Sequence, residues 1–474
     1  MLRISIVLGL FITCFFNQVL SSQTLSEEIE ALIQKDLPHA TIGILVKDAQ
    51  TGQIIYSKNA DKLLSPASNI KLFTAAAALY HLKPNAQFLT TLAQKNQNIY
   101  ITFNGSPSLT IDNFTNLLLN LKKNNRTMIN GDIILDTSRF KTPYYASGVS
   151  YDDLGWYYTA PDTTIMLNEN AEIYDVSAKT MGMPVTLKSK LPERRLKIIN
   201  KVITVSKEQE KNHCSLHVEI LPNNTVRLFG CMVQDKNPKE LQLAIPDPVL
   251  LAKQIIKNTL DQNNILFKGQ IIEGIAPSDA QTIVSYQSDN ITKLITHMLK
   301  ESDNLYANSL TKQLAFSLTK EGTYKQGAFA IKKILSEHTN LDMNQIELTD
   351  GMGTRYNLVT PEQIVLLLTN LYNDKTLRPI ILNALPQSGV SGTLKDRMKK
   401  TNLEKKVFAK TGTMHDISSL SGYIINPKNR SLIFSIVVNG VNKPINTAKT
   451  LEEQILLAII KHSSSEPEAL NAYG

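Results

Sequence analysis

Cysteine is scarce in this chain, with three among 474 residues. One of them, Cys14, follows Thr13 rather than a small residue, which speaks against a lipoprotein attachment site. Long apolar runs are missing after the first twenty or so residues, so no second segment could span a bilayer. No internal repeat is present. No Gly-x-Ser-x-Gly is present either, which removes the strand-to-helix nucleophile elbow from consideration. Hydrophobic residues make up 42% of the chain, an ordinary globular share that argues against disorder.

The start of the chain pairs a charged tip, Met1-Leu2-Arg3, with an apolar run from Ile4 to Ile12. This is the pattern of a secretory signal peptide, with small residues for cleavage near Ser21 or Ser22, so residues 1–22 are expected to be removed. The run is short for a membrane anchor. The remaining product is read as exported and soluble. Export leaves Cys214 and Cys231, which flank the turn Pro222-Asn223-Asn224-Thr225 between two alternating strands. A hairpin there places the two cysteines opposite each other, either as a disulfide in an oxidising compartment or as two reduced thiols. The net charge of +8 suits contact with an anionic polymer or a membrane surface. Export argues against nucleic acid as a partner.

One stretch carries the chemistry, Ser68-Asn69-Ile70-Lys71. The residues from Asn69 to Tyr80 are rich in Ala and Leu and free of Gly and Pro, so they predict a helix. Pro66 and Ser68 stand where such a helix begins. Spacing of three sets the Ser68 hydroxyl and the Lys71 amine on one face. The positive end of the helix favours an oxyanion near the Ser68 N–H. A buried lysine with a lowered pKa can take the serine proton. Against this stands the commoner role of a serine as a helix cap. The pattern also recurs at Ser317-Leu318-Thr319-Lys320, late in a helical run, where the serine N–H is tied up within the helix.

Companions of Ser68 lie further on. Lys410-Thr411-Gly412-Thr413 ends a strand, and Gly412 permits a ligand backbone to approach it. A peptide could add along that edge as an extra strand. Lys410 offers a charge for a carboxylate, and the Thr413 N–H a second oxyanion donor. Ser-Asp-Asn occurs twice, at Ser288-Asp289-Asn290 and Ser302-Asp303-Asn304. The first precedes a helix and reads as a cap; the second lies between two helices, where a side chain could enter a cleft. Spacing does not choose between them. His213, Cys214 and His217 are unsuited to one metal ion, because four residues of strand span about 13 Å. His415 and Asp416 are adjacent and poorly placed for a serine relay.

Helix and strands at the start, up to about residue 86, are matched by helices, three strands and a last helix at the end. The text between is β-rich and reads as an insertion. The expected division is 23–86 with 276–474, an inserted region of 87–175 with 246–275, and a second inserted region of 176–245.

Ser-x-x-Lys, Ser-Asp-Asn and Lys-Thr-Gly in this order form the set of penicillin-binding proteins and class A β-lactamases. The chain resembles the low-molecular-mass class C penicillin-binding proteins, the D-alanyl-D-alanine carboxypeptidase/endopeptidase family. The resemblance runs over nearly all of the mature chain. It is carried by Asn104-Gly105-Ser106-Pro107-Ser108-Leu109-Thr110, by Asp136-Thr137-Ser138-Arg139-Phe140 and by Met298 to Ala307. Gly389-Val390-Ser391-Gly392-Thr393-Leu394, Ala409 to Thr413 and Ser418 to Tyr423 add to it. The interval of about 230 residues between Lys71 and Ser302 also resembles this family, whereas β-lactamases close it sooner.

The resemblance implies an α/β (α+β) transpeptidase-like domain, an antiparallel sheet with helices on both sides, carrying two inserted β-rich domains. It selects Ser302 over Ser288. It implies that Ser68 is acylated by the D-Ala–D-Ala carbonyl with Lys71 as base, and that Ser302, beside Lys71 and Lys410, passes the proton to the leaving amine. Asn304 would hold the substrate amide, with Thr411 and Gly412 on the binding edge and the N–H groups of Ser68 and Thr413 forming the oxyanion hole. β-Lactams would be inhibitors, peptidoglycan stems the substrate, and no metal or cofactor is implied. Asp153 is the candidate acid for a free amino group on the stem. One departure stands out. The family's Asp-Gly-Ser-Gly-Leu-Ser-Arg is here Asp350-Gly351-Met352-Gly353-Thr354-Arg355, one residue shorter and with methionine for serine. A β-lactamase or acylation sensor, and a wall-binding protein without turnover, are the alternatives.

Overall fold

The computed structural model describes residues 24–123, 127–191, 195–210, 214–425 and 430–463. The expected signal peptide at 1–22, Cys14 within it, His213 and the tail after 463 lie outside the described residues.

A five-stranded antiparallel sheet assembled from both ends of the chain frames the site. β1 (Thr41–Asp48) and β2 (Ile54–Lys58) come from the start; β3 (Val407–Met414), β4 (Ile417–Ile424) and β5 (Leu432–Asn439) come from the end. Their order is β3-β4-β5-β1-β2, with β1 running against β5 from Thr41 opposite Asn439 to Asp48 opposite Leu432. Successive side chains alternate between faces. Ile42, Ile44 and Val46 therefore join Phe434, Ile436 and Val438 on one side, while Leu45 joins Ile433 and Val437 on the other. Both faces are covered, which is why these strands read as nearly unbroken apolar runs.

Helix α1 (Leu25–Asp36) opens with a capping box between Thr24 and Glu27 and buries Ile29 and Ile33. It packs beside α4 (Asn446–Ser463) on the first face, through Leu451, Ile455 and Ile459. The second face receives α2 (Ile70–His81) and α3 (Asn304–Thr319). Every residue of α2 from Ile70 to Leu79 is buried. A helix apolar on all sides belongs at the centre of a domain, and the short alanines let its neighbours close in on Lys71.

The intervening region carries a second five-stranded sheet, in the order Ile271–Glu273, Ile133–Asp136, Asn98–Thr102, Leu89–Lys95, Gln281–Gln287. Two three-stranded sheets follow, Leu216–Leu221, Thr225–Val233 and Lys197–Val205 in one and Lys239–Ala244, Ala171–Ser177 and Thr186–Ser189 in the other, and a two-stranded pair joins Leu266–Phe267 to Met128–Ile129. Two boundaries expected from sequence move. Sequence alone groups the strand Gln281–Gln287 with 276–474. It lies instead on the inserted sheet, where it pairs with Leu89–Lys95. Residues 171–175, expected with the first inserted region, pair with Lys239–Ala244 of the second. A single apolar cluster runs through both inserted regions, from Leu92 and Phe114 to Val226 and Leu243. The Cys214 and Cys231 sulfurs are bonded beyond the end of the hairpin, of the two readings the oxidised one.

Behind the site strand β3, α4 places Glu452 in the interior. Its carboxylate pairs with Arg397 at 3.1 Å and accepts the Ser418 hydroxyl at 2.6 Å. Ser418 stands opposite Thr413 in the ladder, so this buried acid braces the strand pair that carries the Lys-Thr-Gly motif. Without that carboxylate the buried Ser418 hydroxyl loses its acceptor, while Arg397 keeps Glu453 at 2.6 Å. Glu452→Ala is expected to lower unfolding free energy by about 2 kcal/mol in urea denaturation, and Glu452→Gln by less.

Candidate active site

The chain enters α2 through a 3₁₀ turn, Ala67–Asn69, rather than starting the regular helix at Asn69. Ala67 has φ +48°, and the turn presents Ser68 one step ahead of the helix. Two packing contacts hold it. Ser419 on β4 donates its hydroxyl to Pro66 O at 2.7 Å and accepts from the Asn69 amide. Gly353, with φ +101°, lies so close to this turn that a Cβ there would stand 2.0 Å from Ala67 O.

Lys71 is fully buried and sits one turn along α2 from the serine. Its Nζ lies 2.8 Å from Ser68 Oγ, 2.7 Å from Asn304 Oδ1 and 2.9 Å from Met352 O. Burial drives its pKa from the ordinary lysine value down to about 7, although the charges of Asp303 and Asp350 act in the opposite sense. A neutral amine has two N–H donors and one lone pair. Asn304 Oδ1 and Met352 O accept the two donors, so the lone pair is left for the Ser68 hydroxyl.

Asn304 begins α3 behind the N-cap Asp303, whose Oδ1 accepts the Tyr306 N–H at 2.9 Å. The Asn304 amide is used at both ends within the protein: Oδ1 by Lys71, and Nδ2 in donating to Tyr158 O at 2.8 Å. Ser302, with φ +60°, turns its hydroxyl to Lys410, whose Nζ donates to it at 2.8 Å and to Thr411 O at 2.7 Å. Lys410 is also buried, and desolvation together with the charge of Lys71 holds its pKa well below normal. Ser302 thus bonds to Lys410, while the three contacts of Lys71 go elsewhere. Thr411 shares a hydroxyl contact of 2.7 Å with Thr393. Gly412 has no room for a side chain, since a Cβ would meet Ser419 Oγ at 2.2 Å and Pro66 O at 2.7 Å.

Of these groups Ser68, Asn304 and Thr413 line a cleft of about 340 Å³ together with Asp153, Tyr158 and Arg355, Ser302 lines an adjoining cavity, and Lys71 and Lys410 lie buried behind them. Asp153 ends a short 3₁₀ turn and accepts the Tyr158 hydroxyl at 3.0 Å. The second copies of the motifs lie apart from it. Ser317 donates to Leu314 O within its own helix and meets His81, and Lys320 caps that helix with φ +62°. Ser288 is buried, accepting the Phe88 N–H, and the following helix is capped by Asn290 instead.

Reasoning from sequence missed Asp350, a buried carboxylate that accepts the N–H groups of Met352 and Gly353 at 2.9 and 2.7 Å and the Asn357 amide at 2.8 Å. That fan of bonds shapes the loop whose Met352 carbonyl reaches Lys71. The departure from serine is explained here. Position 352 touches Lys71 through its main chain, and the methionine sulfur instead accepts from Asn308 at 3.3 Å. Arg355 was quoted in the motif, but only its place in the cleft marks it as a lining cation.

Fold and cleft together define a penicillin-binding, transpeptidase-like enzyme. The profile of the D-Ala-D-Ala carboxypeptidase 3 (S13) family matches residues 25–459. The chain is 29% identical to the D-alanyl-D-alanine carboxypeptidase DacB of Haemophilus influenzae, over 89% of this chain and 90% of that one. It is 28% identical to a D-alanyl-D-alanine carboxypeptidase of an Actinomadura species, over 89% and 82% of the two chains. The crystal structure of penicillin binding protein 4 (dacB) from Haemophilus influenzae superposes with a TM-score of 0.83 at 27% identity, covering 92% of this chain and 98% of that one. The chain belongs to the D-Ala-D-Ala carboxypeptidase 3 (S13) family, and it is a hydrolase of the serine type.

Because the Gly412 Cβ position is already occupied by Ser419 and Pro66, Gly412→Ala must displace the turn bearing Ser68. A shift of about 1 Å at a reacting atom costs about a hundredfold. The variant is expected to lose about that much in the rate of labelling by a fluorescent penicillin while remaining folded by circular dichroism.

Proposed function

We propose that the protein removes the terminal D-alanine from D-Ala–D-Ala stems of peptidoglycan, and opens cross-links between stems, through an acyl-enzyme on Ser68. The observation that carries this reading is the 2.8 Å contact between Ser68 Oγ and the buried Lys71 Nζ. Lys71 takes the hydroxyl proton as Oγ forms an ester with the penultimate carbonyl. The N–H groups of Ser68 and Thr413 stabilise the oxyanion. The amide bond breaks as Ser302 gives its hydroxyl proton to the departing amine and takes one from Lys410, which donates to it. Water then attacks the ester, its proton returning through Ser302 to Lys410, while the proton held on Lys71 restores the Ser68 hydroxyl. Thr411 and Gly412 form the edge along which the stem lies, and Asn304 holds the stem amide.

Asp153 and Arg355 line one cleft with opposite charges. That suits a stem side chain ending in both an ammonium and a carboxylate, with Asp153 reading the amino group. β-Lactams mimic the stem and acylate the same serine. No helix among the described residues is long and apolar enough to cross a membrane, and residues 1–22 are read as a cleaved signal that places the enzyme in the periplasm, against the wall.

Labelling with a fluorescent penicillin tests the nucleophile. Wild type and Ser317→Ala are expected to carry label that is lost slowly, and Ser68→Ala none. Rapid consumption of penicillin without stable label would make the protein a β-lactamase. Penicillin left untouched would overturn catalysis at Ser68.

The pH dependence tests the base. Lys71 must be neutral to accept a proton, and with a pKa of about 7 the neutral fraction falls about tenfold per pH unit below it. The acylation rate should therefore rise with pH and level off above about 8. Lys71→Arg, charged throughout, should abolish labelling; an acylation rate flat between pH 5 and 8 would exclude Lys71 as the base.

A further inference from the structure

A second cavity adjoins the cleft, sharing Tyr158 and Asn304 with it, and has Glu169, His297, Ser302 and Asp303 in its wall. His297 Nε2 lies 3.4 Å from Glu169 Oε1 and 3.5 Å from Asp303 Oδ2. One ligand atom from each of the three residues falls within 4.8 Å of the others. Nε2 itself is shielded from solvent although the side chain is partly exposed, and its nearest carboxylate oxygens stand no closer than 3.4 Å.

The two separations from Nε2 match those between ligands of one ion, and the two carboxylates come within 4.8 Å of each other. A charge-assisted N–H···O contact closes to about 2.7–2.9 Å. Ligands around a four-coordinate first-row ion, each at about 2.0–2.1 Å, stand about 3.3–3.4 Å apart. The three side chains are also held in place independently of one another. The His297 ring stacks on Tyr306 with centroids 4.2 Å apart. Asp303 commits Oδ1 to capping α3, which leaves Oδ2 for the cavity. Glu169 projects from a left-handed run, Asn168 at φ +48°, Glu169 at +59° and Asn170 at +49°. Both flanking asparagines fix that run, Asn168 by accepting the Ile111 N–H at 2.8 Å and Asn170 the Leu167 N–H at 3.0 Å. A non-glycine residue keeps such a backbone only where its surroundings determine it.

We propose that Glu169, His297 and Asp303 form a site for a divalent first-row transition ion, Zn²⁺ by preference, with three protein ligands and a fourth position open to the cavity. Imidazole with carboxylates is a donor set that zinc accepts. The ion would tie Glu169 of the inserted region to Asp303, the residue between Ser302 and Asn304. It would act as a clamp on the segment carrying those two side chains and take no part in the acyl transfer.

Chelator-stripped wild-type protein titrated with Co²⁺ is expected to bind one ion per chain with the intense visible bands of four-coordinate cobalt, and Zn²⁺ to displace it. Zn²⁺ should raise the melting temperature of wild type, since a ligand that binds only the folded state stabilises it. Glu169→Gln and His297→Gln should each lose the bands, weaken Zn²⁺ binding by about a hundredfold or more, and melt at a temperature independent of Zn²⁺. Near-UV circular dichroism checks that both variants are folded. Absence of the bands in wild type, or bands unchanged in both folded variants, would overturn the site.

Discussion

The site depends on one unfavourable act, the removal of the Lys71 side chain from water. An ammonium in that position loses its hydration, and the cost appears as a pKa of about 7. The surroundings offset it only in part. Two acceptors, Asn304 Oδ1 and the Met352 carbonyl, hold the amine, and two carboxylates act from further away. A lysine solvated in the ordinary way would be protonated at neutral pH and useless as a base. The packing of the alanine-rich α2 therefore belongs to the chemistry as much as the motif residues do.

That burial requires parts of the chain that are far apart in sequence. The serine and lysine come from the first hundred residues, Ser302 and Asn304 from the start of α3, the Met352 loop from beyond it, and Lys410 from a strand near the end. The sheet joins the first and last of these, because β1 lies beside β5 and so fixes α2 relative to β3. Buried carboxylates then set local geometry: Asp350 shapes the loop that supplies an acceptor to Lys71, and Glu452 braces Ser418 opposite Thr413. The inserted region reaches the same site through the Tyr158 carbonyl, which takes the second end of the Asn304 amide.

The inserted region also contributes to the cleft wall. Asp153 enters from its loop and faces a space shared with Arg355 from the Asp350 loop. Position 352 shows how a family pattern can vary without disturbing the centre. Its main chain does the work at Lys71, so the side chain was free to become a methionine packed against Asn308.

Much of this was legible from the sequence because it is local. Spacing of three is enough to set Ser68 over Lys71, a strand leading into Lys-Thr-Gly is visible although it continues through the motif to Met414, and a turn midway between Cys214 and Cys231 predicts their approach. The ordered trio of motifs carried the family. What sequence alone left undecided needed contacts across hundreds of residues. Nothing within Ser-Asp-Asn distinguishes Ser302 from Ser288; the difference is that one meets Lys410 and the other the Phe88 N–H. The strand Gln281–Gln287 joins the inserted sheet because its partner is Leu89–Lys95, a pairing no local pattern encodes. Asp350 stands in a quoted motif, but only the fold shows it buried beneath the N–H groups of Met352 and Gly353. Local composition thus determined which groups were available and on which elements, and long-range packing alone decided which of them lost their water and met.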